Sequence, residues 1–236
     1  METIFHGKNL DKSLPCFHSL NVEGRGLFAP SLDTEEVPGR DGTLVMGKAL
    51  PERVIILHFA IKASSSKEHL DTMRALNILL KSEGEEKLTF TDEDGYFLGQ
   101  VSEVEAPPYN QWEGQGSISF YCADPFLHVP KSPKSGSNVT LDSKAYRLAL
   151  VEAKIEATGS PVTLKNTSTG DRIAFSTPLT GTLSISKERI LLGQEDIVPA
   201  LDYTVSTWKG FTLRPEDTLM QTGGKSMVVT YEELYL

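Results

Sequence analysis

Alternation with a period of two is the strongest constraint this chain places on its own fold. Val151, Ala153, Ile155 and Ala157 alternate with Glu152, Lys154 and Glu156, so an extended backbone puts one set on a dry face and the other in water. A helix would scatter both sets around its axis. Arg53 to Ile61 behaves the same way, with Ile55, Leu57, Phe59 and Ile61 on one face. His58 falls on the other face and reads as a hydrogen-bonded structural histidine. Ile118, Phe120 and Cys122 alternate before Asp124-Pro125 ends their strand. Phe90, Tyr96, Leu98 and Val101 flank Thr91-Asp92-Glu93-Asp94-Gly95, where Asp-Gly is a hairpin-turn signal.

One helix interrupts this pattern. Ser65-Ser66-Lys67-Glu68 is a capping box with Ser65 as N-cap, and Leu70, Met73, Leu76 and Leu80 follow at helical spacing before Gly84. That stripe reads as core packing. Further on, Ile173/Phe175, Leu183/Ile185, Ile190/Leu192, Phe211/Leu213 and Met227/Val229/Tyr231 give short strands separated by glycine and proline turns. The segment Leu127 to Thr140, rich in proline, serine and lysine, reads as a linker. The expected organisation is therefore a domain over 1–130, a linker over 131–140 and an all-β domain over 141–236. The fold class is mainly β with one helix: a β-sandwich-like first domain carrying the helix and a β-hairpin, then a sandwich or jelly roll.

Charge narrows the function. The chain holds 23 Lys and Arg against 32 Asp and Glu, a formal net charge of −9. Residues 1–130 hold 11 bases and 20 acids, and residues 131–236 hold 12 of each. The excess is concentrated between Glu83 and Glu113, where nine acids face one base, Lys87. Nucleic-acid and anionic-membrane binders need basic surfaces, so neither class is expected. No apolar run approaches the roughly 20 residues of a spanning helix. The opening METIFHGKNL lacks an apolar signal core, and a cytoplasm-made protein is expected. The acidic stretch is either a solvated face or a surface that repels anions or meets a basic partner.

Catalytic patterns are lacking. His6, His18, His58, His69 and His128 share no metal-ligand spacing, and two cysteines, Cys16 and Cys122, make neither a disulfide framework nor a four-ligand zinc site. There is no nucleophile elbow, Walker loop or H-E-x-x-H. Asp92-Glu93-Asp94-Gly95 lacks the later bidentate Glu of a calcium loop, and no pair of acids is singled out for glycosidase work. No cofactor, no metal and no enzymatic activity are expected. Trp208 is a candidate for stacking on a sugar ring.

The order of the pieces is distinctive. Phe28-Ala29-Pro30 leads into Val37-Pro38-Gly39-Arg40-Asp41-Gly42; a strand, the helix and the acidic hairpin follow, then Ile118-Ser119-Phe120-Tyr121-Cys122-Ala123-Asp124-Pro125-Phe126. This order resembles the distal tail (Dit) proteins of long, non-contractile-tailed phages, and the second half is similar to their galectin-like sandwich. The resemblance implies a structural baseplate hub in the virion, assembled in the host cytoplasm. It implies a homo-hexameric ring that joins the tail tube protein to the tail tip, or tail-associated, protein, with DNA passing through without specific binding. Under it, Val37, Gly39, Arg40, Asp41 and Gly42 are subunit-interface candidates. Glu85, Glu86, Asp92, Glu93, Asp94, Glu103 and Glu105 are candidates to line the channel. No segment between Val151 and Leu236 is long enough for the inserted arm with which some members hold receptor-binding proteins. A carbohydrate-binding module or adhesin acting through Trp208 is the alternative.

Overall fold

The computed structural model describes residues 1–108 and 112–236. The chain divides into two compact units, Met1–Leu127 together with Leu236, and His128–Tyr235.

The first unit begins with β1 (Thr3–Phe5), β2 (Lys8–Asn9), the single-turn helix α1 (Leu10–Ser13) and β3 (Phe17–Glu23). The strands β4 (Ser31–Glu36) and β5 (Thr43–Ala49) follow, then β6 (Arg53–Lys62), the helix α2 (Ser66–Leu80), β7 (Glu86–Phe90), β8 (Phe97–Glu105) and β9 (Glu113–Cys122). Seven of these strands form one antiparallel sheet in the order β2-β1-β7-β8-β9-β6-β3. The alternation in Arg53–Ile61 is realised in full: Ile55, Leu57, Phe59 and Ile61 of β6 are buried, as are Ile118, Phe120 and Cys122 of β9. Phe5 and Phe120 pack tilted at 5.1 Å between centroids, and Phe17 and Phe59 stack at 5.0 Å. The sheet curls. Asp11 accepts from Thr3 N at 2.9 Å and from Ser19 N at 2.7 Å, and Thr3 and Ser19 hydroxyls lie 2.9 Å apart. One carboxylate thus staples β1 to β3, which are far apart in the strand order.

Ser65 caps α2 as expected, accepting from Glu68 N at 3.2 Å. The Glu68 carboxylate turns to Ser64, accepting from its backbone N at 2.7 Å. The buried positions are His69, Thr72, Leu76 and Leu80, while Leu70 and Met73 are half-buried. The helix is thus rotated slightly from the all-apolar stripe, and it ends at Leu80, four residues before Gly84. His69 is 1% exposed with neither ring nitrogen hydrogen-bonded.

The second unit contains β10 (Leu127–Pro130), β11 (Lys134–Gly136), β12 (Asn138–Thr140), β13 (Arg147–Asn166), β14 (Arg172–Ile185), β15 (Ile190–Leu192), β16 (Glu195–Asp196), β17 (Thr218–Thr222) and β18 (Gly224–Tyr235). The main path runs β10-β18-β13-β14-β15-β16, with β11 on β18, and β12 and β13 on β17. Ala153, Ile155 and Ala157 face the core as their alternation requires. Val151 does not: a register shift between Leu150 and Glu152 turns it outward, 43% exposed. The stretch 131–140, expected as a linker, carries β11 and β12. Lys134–Gly136 pairs with Met227–Val229, and Asn138–Thr140 with Thr218–Met220. Backbone pairing needs no apolar side chains, and Val139 alone of these six strand residues is buried.

Candidate functional site

The outstanding local feature of the first unit is the antiparallel ribbon of β4 and β5. Its tip follows from its residues. Pro38 fixes its own φ, Gly39 has φ +80°, and Arg40 N donates to Val37 O at 3.1 Å, which is a type II turn with proline and glycine where that turn demands them. Gly42, also at φ +80°, leads into β5. No residue between Ser31 and Gly42 is even partly buried. Pairing of Leu32 with Lys48 and Thr34 with Val45 puts both apolar residues on one face, and Glu35 and Leu44 share the other. Met46 lies at a bulge between them. Leu32, Val45 and Met46 are each 58% exposed. Arg40 and Asp41 form no ion pair with each other or with any other described residue.

The base of the ribbon is held by two arginines. Arg53, at the start of β6, is 2% exposed. Its Nε donates to Pro125 O at 2.7 Å and its Nη1 to Gly24 O at 2.8 Å, and the guanidinium lies 4.5 Å over the Phe28 ring. Its Nη2 has no partner. Burial pushes the Arg53 pKa down, yet a guanidinium stays charged at neutral pH. Arg25 reaches the β7–β8 turn, donating to both Asp92 oxygens at 3.0 Å and to Glu93 at 3.4 Å, with Phe90 under it at 4.5 Å. The hydrogen bonds from Arg25 hold the Asp92 carboxyl below the usual range. Pinning the segment 24–28 on both sides leaves the tip free and its root stiff.

The seven channel candidates fall into three sets. Asp92, Glu93 and Asp94 sit at the β7–β8 turn, Glu85 and Glu86 lie toward the other end of that hairpin, and Glu103 and Glu105 lie further along β8, where it pairs with β9 and no longer with β7. Asp92 and Glu93 share the single charge of Arg25, and Glu86 pairs with His6 at 2.7 Å. Glu85, Asp94, Glu103 and Glu105 make no ion pair among the described residues. His58 bonds Glu23 at 3.0 Å, a structural contact across β3 and β6.

In the second unit Trp208 is half-buried against the core. Its Nε1 donates to Ser186 O at 2.7 Å, and Lys209 Nζ lies 4.0 Å over its ring. The indole therefore already carries a cation of the same chain on one of its faces. Among the described residues no cluster of three or more His, Cys, Asp and Glu could hold a metal, and no helix is long and apolar enough to cross a membrane. Both cysteines are buried and unpaired by disulfide, and burial pushes the Cys122 thiol up to about 12.

Residues 6–122 match the model of the phage tail protein RIFT-related domain. The first unit belongs to that family. This RIFT-related domain and the second unit together share their fold with the Dit protein of phage SPP1, described as a paradigm of the hub adsorption apparatus in phages infecting Gram-positive bacteria. The two chains are 19% identical with a TM-score of 0.85, over 100% of this chain and 99% of that one. A chain of the phage P2 baseplate in its activated conformation with calcium is similar at 10% identity and a TM-score of 0.60, over 100% and 97%. A chain of the same baseplate in its activated conformation with strontium gives 10% and 0.58, over 98% and 97%. No curated protein matches the chain.

Sequence reasoning found the tip of the ribbon but neither its strands nor Arg53 and Arg25. A lone arginine in front of an apolar strand carries no sign of burial, because its acceptors, Gly24 and Pro125, lie 29 and 72 residues away.

Proposed function

We propose that this chain is the hub of a siphophage tail tip, a virion component that acts by assembling and not by turnover. In this reading the RIFT-related units of six copies close a ring between the tail tube protein and the tip, or tail-associated, protein. The exposed ribbon carries the proposal. A two-stranded ribbon is marginal in water by itself, and this one shows Leu32, Val45 and Met46 to solvent on a stiff root. Such a ribbon gains its burial on a surface of the next copy, and a heterologous contact of that kind closes into a ring when the rotation allows. Arg40 and Asp41, unpaired at the tip, would then find partners across the boundary. The unpaired carboxylates Glu85, Asp94, Glu103 and Glu105 are the proposed channel acids, there to keep phosphates moving. The ring would be assembled in the host cytoplasm.

The test is native mass spectrometry and negative-stain imaging of the full chain, with and without the tube protein. A variant whose residues 32–48 are replaced by a short Gly-Ser turn is the comparison. Six-fold rings for the natural sequence and monomers for the variant are expected. Monomers of the natural sequence in both conditions would overturn the ring, and carboxylates mapped to its outer wall would remove their channel role.

A further inference from the structure

A second region of the chain has a recognisable chemistry unrelated to the ribbon. In the second unit a groove of about 470 Å³ is lined by Arg147, Lys187, Lys209 and Arg214 around Trp208 and Phe211. No carboxylate is among the described residues that line it. This is unexpected in a unit where residues 131–236 hold bases and acids in equal number. Glu188 and Glu216, neighbours of Lys187 and Arg214 in sequence, are exposed and do not line the groove, and three other acids of the unit are engaged. Glu233 takes Lys131 at 2.8 Å, and Glu152 takes Lys154 at 3.0 Å. Asp217 is buried and accepts from Asn166 Nδ2 at 2.6 Å and from the Arg214 backbone N at 2.8 Å. Lys187, Lys209 and Arg214 have no carboxylate in ion-pair reach among the described residues.

The groove is also ordered in advance. The Trp208 indole is anchored by its bond to Ser186 O, and Lys209 Nζ rests over its ring while donating to Lys187 O at 2.8 Å. An ammonium carries three N–H donors. One is committed to that carbonyl, and the ammonium is held in place for an incoming acceptor without losing further side-chain freedom on binding.

We infer that this groove binds a phosphodiester-linked polyol chain, each phosphate meeting one of the cations while the polyol backbone lies along Phe211. Guanidinium and ammonium groups fit phosphate oxygens, with arginine able to take two oxygens at once. Repeating single charges on a thin chain suit a groove of this volume, which holds a few such units. A DNA duplex does not fit it, and Lys209 already occupies one face of the Trp208 ring, where a base would stack. The net −9 of the whole chain further disfavours a long, dense polyanion.

The test is calorimetric titration of the full chain with a glycerol-phosphate oligomer, a neutral glucan oligomer of equal length, and a single-stranded DNA oligonucleotide of equal charge. Saturable binding of the glycerol-phosphate oligomer is expected, weakened by salt. Lys209→Gln and Arg214→Gln are each expected to weaken it by about tenfold with an unchanged melting temperature, as loss of one charge-assisted contact implies. The glucan should not bind, and DNA should bind at least tenfold more weakly. Absence of binding would overturn the inference, as would binding untouched by both substitutions, equal binding of glucan, or equal binding of DNA. Because neither residue lies in the ribbon or the first unit, ring formation in the same variants is read separately and stays intact.

Discussion

Arg53→Met isolates the arginine that roots the ribbon. Methionine keeps much of the side-chain volume but withdraws the donors to Pro125 O and Gly24 O and the cation over Phe28. Two hydrogen bonds from a charged donor contribute about 1.5–3 kcal/mol each, and the cation–π contact about 1 kcal/mol more. Against this, the buried guanidinium has no carboxylate partner and leaves Nη2 unbonded, so its removal returns several kcal/mol of desolvation. The net loss expected is about 3 kcal/mol in the first unit. With a slope of about 2 kcal/mol per molar urea, the midpoint falls by about 1.5 M. Pulse-labelled hydrogen exchange along a urea series reads the two units apart by their peptides, and the second unit serves as control. Amides of residues 21–23, paired with His58, Leu57 and Ile56 beside the root, should lose protection below the midpoint, as the root of the ribbon loosens first. Arg53→Lys should fall between, because an ammonium reaches one carbonyl at a time. A first-unit midpoint within about 0.3 M of the natural chain would refute the reasoning, since it would mean that desolvation cancels every bond the guanidinium makes.

His69→Leu should stabilise the first unit by about 1 kcal/mol in the same urea assay, because it replaces a buried imidazole with no partner by an apolar side chain. Asp92→Asn should cost about 1 kcal/mol at pH 7, since the pair with Arg25 is partly exposed. Because Arg25 lowers the folded pKa of Asp92, the stability from this pair is present above the ordinary carboxylate range and is lost as pH falls through that lowered value. Acid titration of Asp92→Asn against the natural chain should therefore show the difference vanish at low pH. Neither Cys16 nor Cys122 should react with a thiol reagent at pH 8 in the folded chain, and both should react in urea. Gly24→Ala should unfold the first unit at lower urea, because φ is +86° and a Cβ there runs into Val54 O.

The parts legible in the sequence are those where burial and periodicity agree. Arg53–Ile61 shows its dry face in its residues, and Ser65 announces α2 by capping chemistry. Where the two part company, the sequence is silent. The ribbon strands Ser31–Glu36 and Thr43–Ala49 bury nothing in the single chain, so no alternation marks them. The strands inside 131–140 are held by backbone bonds and look like a polar tether. The face of α2 is set by what lies under it: His69 and Thr72 are closed in although Leu70 and Met73 are the more apolar, and neighbouring helix positions differ by only about 100°. The acidic hairpin is legible as charge but not as free charge, because Arg25, distant in sequence, takes two of its carboxylates. The cationic groove was likewise hidden by an even count of bases and acids.

The 20-residue strand β13 has a mechanical consequence. It bonds to β14 along one edge and to β18 and β17 along the other. Tension applied along it loads both ladders in shear, so many hydrogen bonds must fail together rather than one after another. The two-stranded ribbon, open on both outer edges, can instead be peeled pair by pair. Under load the second unit's central strand is therefore the part that resists, and the ribbon, until something covers its edges, the part that yields.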